Sequence, residues 1–354
     1  MSPGMHLSVL DQSMIVSGRS PDASIRETLA LGPLLEALGY HRFWLSEHHG
    51  SDSIAGSAPE ILLGALATRT EKIRLGSAGI MLPHYSSLKV AEQFRVLEAL
   101  APGRIDLGVG RAPGSDGRTA LALNPNAAAA ADHFPAQLRD LMAWVANEAL
   151  PETHPFRSVR AQPVGPTAPE VWILGSSLYG AQVAAYFGLP YCYAHFFTEG
   201  EGAEEALSLY RHSFKPGVAR SAPHSAIAVS ALAAETQAEA ARLFSSREAW
   251  RAERERGRYV PLPSPEEALA YPFSDADRRR NAAIRERAAF GTPDMVHARL
   301  NAMADALQVD ELVLVTAVHD PAARRRSFEL IAEQERKVFF SEEKKQKTFM
   351  SAEA

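Results

Sequence analysis

The sequence predicts an α/β fold in which eight parallel strands, each followed by a helix, close into a (β/α)8 TIM barrel with loop insertions. Short apolar runs alternate with amphipathic stretches along most of the chain, the pattern of strand–helix units. Eight such units can be counted, and 354 residues lie inside the range of a single barrel. Two successive strands joined by a helix must run parallel, so all their carboxyl ends face one side. A doubly wound open sheet is the competing arrangement.

The first strand is the apolar run 7–10, followed by the polar group Asp11-Gln12-Ser13. Ser20 and Pro21 open a helix, with serine at the N-cap and proline at the first helical position, and Gly39 ends it. Residues 43–45 form the second strand, which runs into Glu47-His48-His49 and a glycine-rich loop. Pro59 starts the next helix, through Leu62, Leu63 and Leu66. The third strand, 73–81, has small residues at its far end and is closed by Pro83, which cannot donate to a central ladder. Val90, Phe94 and Leu97 then share one stripe of a helix that begins near Ser86. A Pro102-Gly103 turn leads to the fourth strand, 105–109, and on to Gly110-Arg111.

The alternation breaks over 115–168, read as an insertion on one loop with a helix over 134–150. It resumes with a fifth strand, 171–174, which ends in Gly175-Ser176-Ser177 before a helix over 179–187. The sixth strand, 191–194, leads to His195-Phe196-Phe197 and a helix over 201–214. The seventh strand is 226–233, with a helix from Thr236. Residues 249–289, rich in arginine and proline, read as a second, mobile excursion. Thr292 and Pro293 restart a helix, 312–316 is the eighth strand, and the last helix spans about 320–339. Residues 1–340 thus read as one domain, and 341–354 as a charged, disordered tail.

Hydrophobic content of 46% with 22% charged residues is that of a soluble globular chain. A net charge of −5 argues against a general nucleic-acid or anionic-membrane surface. The first residues carry no basic and apolar signal pattern, no apolar run approaches a membrane span, and a single cysteine, Cys192, forbids an internal disulfide. A cytoplasmic location is therefore expected.

A barrel would gather Asp11, His48, His49, Ala78, Gly79, Arg111, Ser176, Ser177, His195 and Thr316 at one mouth. Gly175-Ser176-Ser177 at a helix start offers N–H groups and hydroxyls to an anion, and Arg111 on the adjacent strand suits a phosphate. Helix capping by the serines and a surface ion pair for Arg111 are the competing readings. Neighbouring strand residues face opposite ways, so only one of His48 and His49 can enter the mouth, there to move a proton or to bond backbone. No His-Glu-x-x-His or cysteine cluster supports a metal. Gly108-Val109-Gly110-Arg111-Ala112-Pro113 fails as a dinucleotide fingerprint because proline takes the sixth position. No Gly-x-Ser-x-Gly nucleophile elbow is present, and Cys192 reads as a buried structural thiol. Phe196 and Phe197, at a strand end, could wall an apolar pocket.

Three segments, Phe43-Trp44-Leu45-Ser46-Glu47-His48-His49, 76–83 and 102–111, closely resemble the bacterial luciferase-like flavin monooxygenases. The resemblance covers about 7–114 and resumes from 171 to the last helix. It implies a TIM barrel that binds FMN, reduced by a separate flavin reductase, and a homodimer through helices of the first half. It implies that the Ala78-Gly79 backbone lies against the flavin ring, often through a non-prolyl cis peptide. Arg111 and Gly175-Ser176-Ser177 match phosphate-binding positions, and His48 matches a histidine tied to proton transfer. Gly110 falls where luciferases carry a cysteine, and the long-chain aldehyde pocket is not recognisable, so light emission is not expected. The implied chemistry is oxygenation of a small organic substrate by reduced FMN and O2 through a flavin C4a-peroxide, with the two insertions as lids. A deazaflavin (F420)-dependent hydride-transfer enzyme of the same superfamily and a flavin-binding protein without turnover are the alternatives.

Overall fold

Strand alternation in this chain separates two interiors, one inside a closed ring of strands and one outside it. The computed structural model describes residues 5–217 and 220–352; Met1 to Gly4, where no signal pattern is expected, and the end of the charged tail lie outside them. β1 (His6–Asp11), β2 (Arg42–Leu45), β3 (Arg74–Met81), β4 (Ile105–Gly110), β5 (Glu170–Gly175), β6 (Tyr191–Tyr193) and β7 (Ser225–Ala233) pair in chain order, all parallel. β8 (Ala289–Gly291) pairs with the far end of β7 and stays out of the ring. β9 (Glu311–Val315) pairs with both β7 and β1 and closes the barrel. The eight expected barrel strands are therefore present. β8 is an addition, too short for any periodicity to show.

Helices α1 (Pro21–Leu38), α2 (Pro59–Ala67) and α3 (Ser87–Leu100) follow the first three strands. α1 and α2 open on the expected prolines, and Gly39 ends α1 in the left-handed region at φ 88°. The Ser86 hydroxyl caps α3 by accepting from Lys89 N–H. After β4 come α4 (Gly117–Leu123), α5 (Ala127–Asp132) and α6 (Phe134–Ala146), where only one helix was expected. α7 (Leu178–Phe187), α8 (His195–Thr198), α9 (Ala203–Ser213) and α10 (Gln237–Glu255) follow β5, β6 and β7.

Residues 249–289, read as an excursion, are mostly helical. α10 runs on to Glu255, and α11 (Pro265–Leu269) and α12 (Asp275–Arg287) each begin with a capping box, Ser264 with Glu267 and Ser274 with Asp277. Those Ser-x-x-acid signals are visible in the sequence. α13 (Pro293–Leu307) and α14 (Pro321–Ala352) complete the order, and α14 continues past 339, where the sequence analysis ends it. No helix among the described residues is long and apolar enough to cross a membrane.

Odd residues of β2, Phe43 and Leu45, face outward and pack with Leu35, Leu63, Phe94 and their neighbours into the core between strands and helices. Trp44 faces inward with Leu10, Trp172, Cys192, Ala226, Ala228 and Val313. Beneath them Arg42 plugs the amino end of the barrel. Its Nη1 donates to Asp106 at 2.9 Å and Glu170 at 3.1 Å, and its Nε donates to Glu311 at 3.1 Å. The indoles join this network: Trp44 Nε1 donates to Asp106 at 2.9 Å and Trp172 Nε1 to Glu170 at 3.0 Å.

Burial alone would raise the Glu311 carboxyl, but His224, Arg42 and Ser8 around it hold it at about 2. Glu170 is likewise raised by burial and brought down to about 2 by Arg42 and Arg220. Both lie below the ordinary 4.5, so the stability they contribute is complete above that pH and is lost as pH falls toward 2. Denaturant titrations across this window should show the loss. Arg42→Met should cost about 3–5 kcal/mol at neutral pH, because it strands buried carboxylates.

Candidate active site

The carboxyl ends of the strands open onto a cavity of about 260 Å³. Its base is the inward layer of the barrel, Leu10, Trp44, Ala228 and Val313, with the Trp44 ring edge-on to Trp172 at 5.0 Å. One wall is β3, where Ala78 and Gly79 are joined by a cis peptide and the pairing with β4 shifts register. A Cβ on Gly79 would stand 2.7 Å from Leu174 Cδ1 and 2.8 Å from the Gly108 carbonyl oxygen, so the close packing of β4 and β5 itself requires glycine there.

The other end of the cavity is polar. Arg111 stacks over the Tyr179 ring at 4.1 Å, and no carboxylate lies within ion-pair distance of it among the described residues. Ser177 occupies the N-cap of α7 yet makes no side-chain cap bond, so neither competing reading, capping nor ion pair, is realised. The first amides of α7 have no intrahelical acceptors, and a Cβ on Gly175 would meet nothing within 4 Å. Gly175, Ser176, Ser177 and Arg111 line the same cavity as Ala78 and Gly79. A flat apolar body could lie along the β3 wall with an anionic tail between Arg111 and the start of α7.

His48 enters the mouth and His49 does not. His48 Nδ1 lies 3.2 Å from Ser46 Oγ, and its backbone N–H donates to Gly56 at 2.9 Å. Burial, with help from the Arg254 and His49 charges, pushes its imidazole down to about 4. It is neutral at physiological pH and can accept a proton. His49 instead lies 2.7 Å from Glu47 Oε1. Glu47 also accepts from Tyr85 Oη at 2.8 Å and Met81 N–H at 3.2 Å, tying the end of β2 to the end of β3.

Asp11, His195 and Thr316 are also absent from the cavity, contrary to expectation. Asp11 falls on the outward parity of β1, Thr316 continues the outward parity of β9 by one residue, and His195 opens α8 beyond the end of β6. Asp11 accepts from Thr28 at 2.6 Å and from Arg324 at 2.7 Å. Thr316 donates to the Ala231 carbonyl at 2.9 Å. His195 packs beneath Gly200, where a Cβ would lie 2.4 Å from its Nε2. The same parity brings in residues the motifs did not flag: Gln12, Ser46 and Leu174. Phe196 and Phe197 wall the cavity as expected. Cys192 faces it from inside the barrel, and burial pushes its thiol well above the usual range. The described residues hold no cluster of three or more histidine, cysteine or acidic groups that could bind a metal.

A luciferase-like monooxygenase family model matches residues 5–310. The chain is 42% identical to the uncharacterized protein YwcH of Bacillus subtilis (strain 168), over 92% of this chain and 98% of the relative. It is 37% identical to an N-acetyl-S-alkylcysteine monooxygenase of the same organism, over 93% and 98% of the two chains. Among solved structures, apo-MsnO8 superposes with a TM-score of 0.85 at 37% identity, covering 93% of this chain and 98% of that one.

The two glycines of the site should separate by substitution. Gly79→Ala forces its Cβ onto backbone and should cost about 1–3 kcal/mol. Gly175→Ala points into open space and should leave stability within about 0.5 kcal/mol. Urea unfolding midpoints measure both.

Proposed function

The chain belongs to the luciferase-like monooxygenase family, and on that premise we propose that it binds reduced FMN at the barrel mouth and uses O2 to oxygenate a small organic substrate. One observation carries the reading: a cation without a carboxylate partner among the described residues and the open start of a helix share a cavity with an apolar wall of bare backbone. Arg111, Gly175, Ser176 and Ser177 would hold the phosphate, and Ala78-Gly79 would support the ring. Reduced flavin supplies the electrons that activate dioxygen for transfer of one oxygen atom. The apolar lining of Leu10, Trp44, Leu174 and Val313 excludes water from that chemistry.

His48, neutral and beside Ser46, accepts a proton from the reacting centre and returns it. A separate reductase would deliver the reduced flavin, and the chain would act as a homodimer. Likeness to the N-acetyl-S-alkylcysteine monooxygenase makes thioethers the first substrates to try.

The direct test is titration of the purified protein with reduced FMN and with a deazaflavin, followed by oxygen uptake and product analysis with thioethers. Exclusive deazaflavin binding would shift the reading to hydride transfer. Arg111→Ala should weaken FMN roughly ten- to a hundredfold while leaving riboflavin, which lacks the phosphate, nearly unaffected. His48→Ala should lower turnover by about 10²–10⁴. In the native protein the histidine limb of the pH–rate profile should fall near 4, with activity lost below it as the imidazole becomes protonated and can no longer accept.

A further inference from the structure

Behind Phe196 and Phe197 lies a small annex of about 20 Å³, and Gln12 and the two phenylalanines line both it and the main cavity. That volume holds one group little larger than a water molecule. Its far side is α10, which presents Arg247, Trp250, Arg251 and Arg254. No carboxylate lines the annex among the described residues.

Two donors there lack acceptors among the described residues. Arg247 Nη2 donates to Glu199 at 2.6 Å, but its Nη1 is buried without a partner, and the residue is only 6% exposed. Arg251 is satisfied by the Phe197 carbonyl at 2.8 Å and lies 3.6 Å from Glu199 and 3.3 Å from Glu255. Arg254 has no ion pair among the described residues. Its guanidinium sits among aromatic rings, 5.4 Å from Phe197, 5.4 Å from Trp250 and 5.9 Å from Tyr259. Gln12 adds a buried amide nitrogen without a partner. Both unsatisfied polar atoms named here are donors, so they call for an acceptor, and the unpaired Arg254 guanidinium beside them favours a negatively charged one.

We propose that this annex is an anion subsite, in which Arg254 and Arg247 Nη1 receive one oxygen of the substrate's carboxylate or sulfonate head while the rest of the head and the apolar chain lie past Phe196 and Phe197 in the main cavity. The site is distinct from the Arg111 end, which lies with α7. Its proximity to the chemistry is marked by Arg254, whose charge reaches His48. The proposal takes from the oxygenase reading only the fate of the bound molecule; the anion preference stands or falls without flavin.

The test uses the full chain without cofactor and reads tryptophan fluorescence, since Trp250 lines the annex and Trp44 the cavity. Octanoate, octane-1-sulfonate, octan-1-ol and octylamine share one chain and differ in head group. At least one of the two anions should bind roughly tenfold or more tightly than the alcohol, with the amine weakest. The better of octanoate and octane-1-sulfonate identifies the head. Arg254→Met should abolish the preference with an unchanged melting midpoint, and Arg254→Lys should retain part of it. Equal affinity for alcohol and anions, or an undiminished preference in Arg254→Met, would overturn the proposal. So would a loss of FMN binding in Arg254→Met, which would hand the arginine to the cofactor. Failure of FMN to bind the native protein, with the anion preference intact, would count against the flavin reading alone.

Discussion

The mouth of this barrel depends on an arginine at the opposite end. Arg42 begins β2, whose ladder partners are only β1 and β3, yet its guanidinium reaches across the interior to carboxylates on β4, β5 and β9. Burying these charges costs about as much as pairing them returns, so the intact cluster adds little net stability even though removing one partner is costly. A slip of any of these strands by one residue would exchange its inward and outward sides and leave a charge unmatched. Trp44 and Trp172 hang from the same carboxylates by their indole N–H groups and form the base on which the cavity rests. Packing above the plug therefore inherits its geometry from the plug.

At the other end polarity is divided by side. The β4–β5 edge carries Arg111 and the start of α7, the β3 edge carries bare backbone, and the α10 edge carries arginines among aromatic rings. His48 stands between them, and burial together with the nearby cation keeps it uncharged. A neutral imidazole suits a site meant to keep water and mobile charge away from a reactive centre, because it exchanges a proton without leaving a permanent charge behind. Glu47 does the holding for it. By bonding His49, Tyr85 and Met81 N–H, it fixes the backbone on either side of the residue that faces the cavity.

Much of this was legible before any coordinates. Proline and serine placed helix starts, and Gly39 an end, because those residues meet local needs that tertiary context rarely overrides. The gathering of Ala78, Gly79, Arg111 and Ser176 follows from parallel strands alone. The parity rule that separates His48 from His49 also separates Asp11 and Thr316 from the cavity, each one residue away from an inward neighbour, Gln12 or Val315, while His195 opens α8 one residue past the inward Ala194. A lone glutamine carries no motif, and the significance of Gln12 lies in an amide buried without a partner among the described residues. The annex was invisible for a different reason: it joins β1, β7 and β9 to a helix more than two hundred residues from Gln12, and no local pattern encodes that meeting.

The segment over 249–289 bears on how substrates are chosen. Read as arginine and proline, it suggests a loose lid. Its structure is two capped helices laced to α10 by Arg256 with Asp277, Arg280 with Glu255 and Arg285 with Glu248. Exposed ion pairs are individually weak, but here they act with two capping boxes and the buried Ile284, which packs with Phe244 and Ala288. In this arrangement the segment is a wall built against α10. It holds Tyr259 against Arg254, and so fixes the chemistry of the annex independently of the Arg111 end. Selection by a wall requires the incoming molecule to match a shape and charge already in place, which is cheaper in ordering entropy than closing a loop around it. A chain with this plan can change its substrate by altering one side of the mouth while leaving the opposite side, and whatever it grips, untouched.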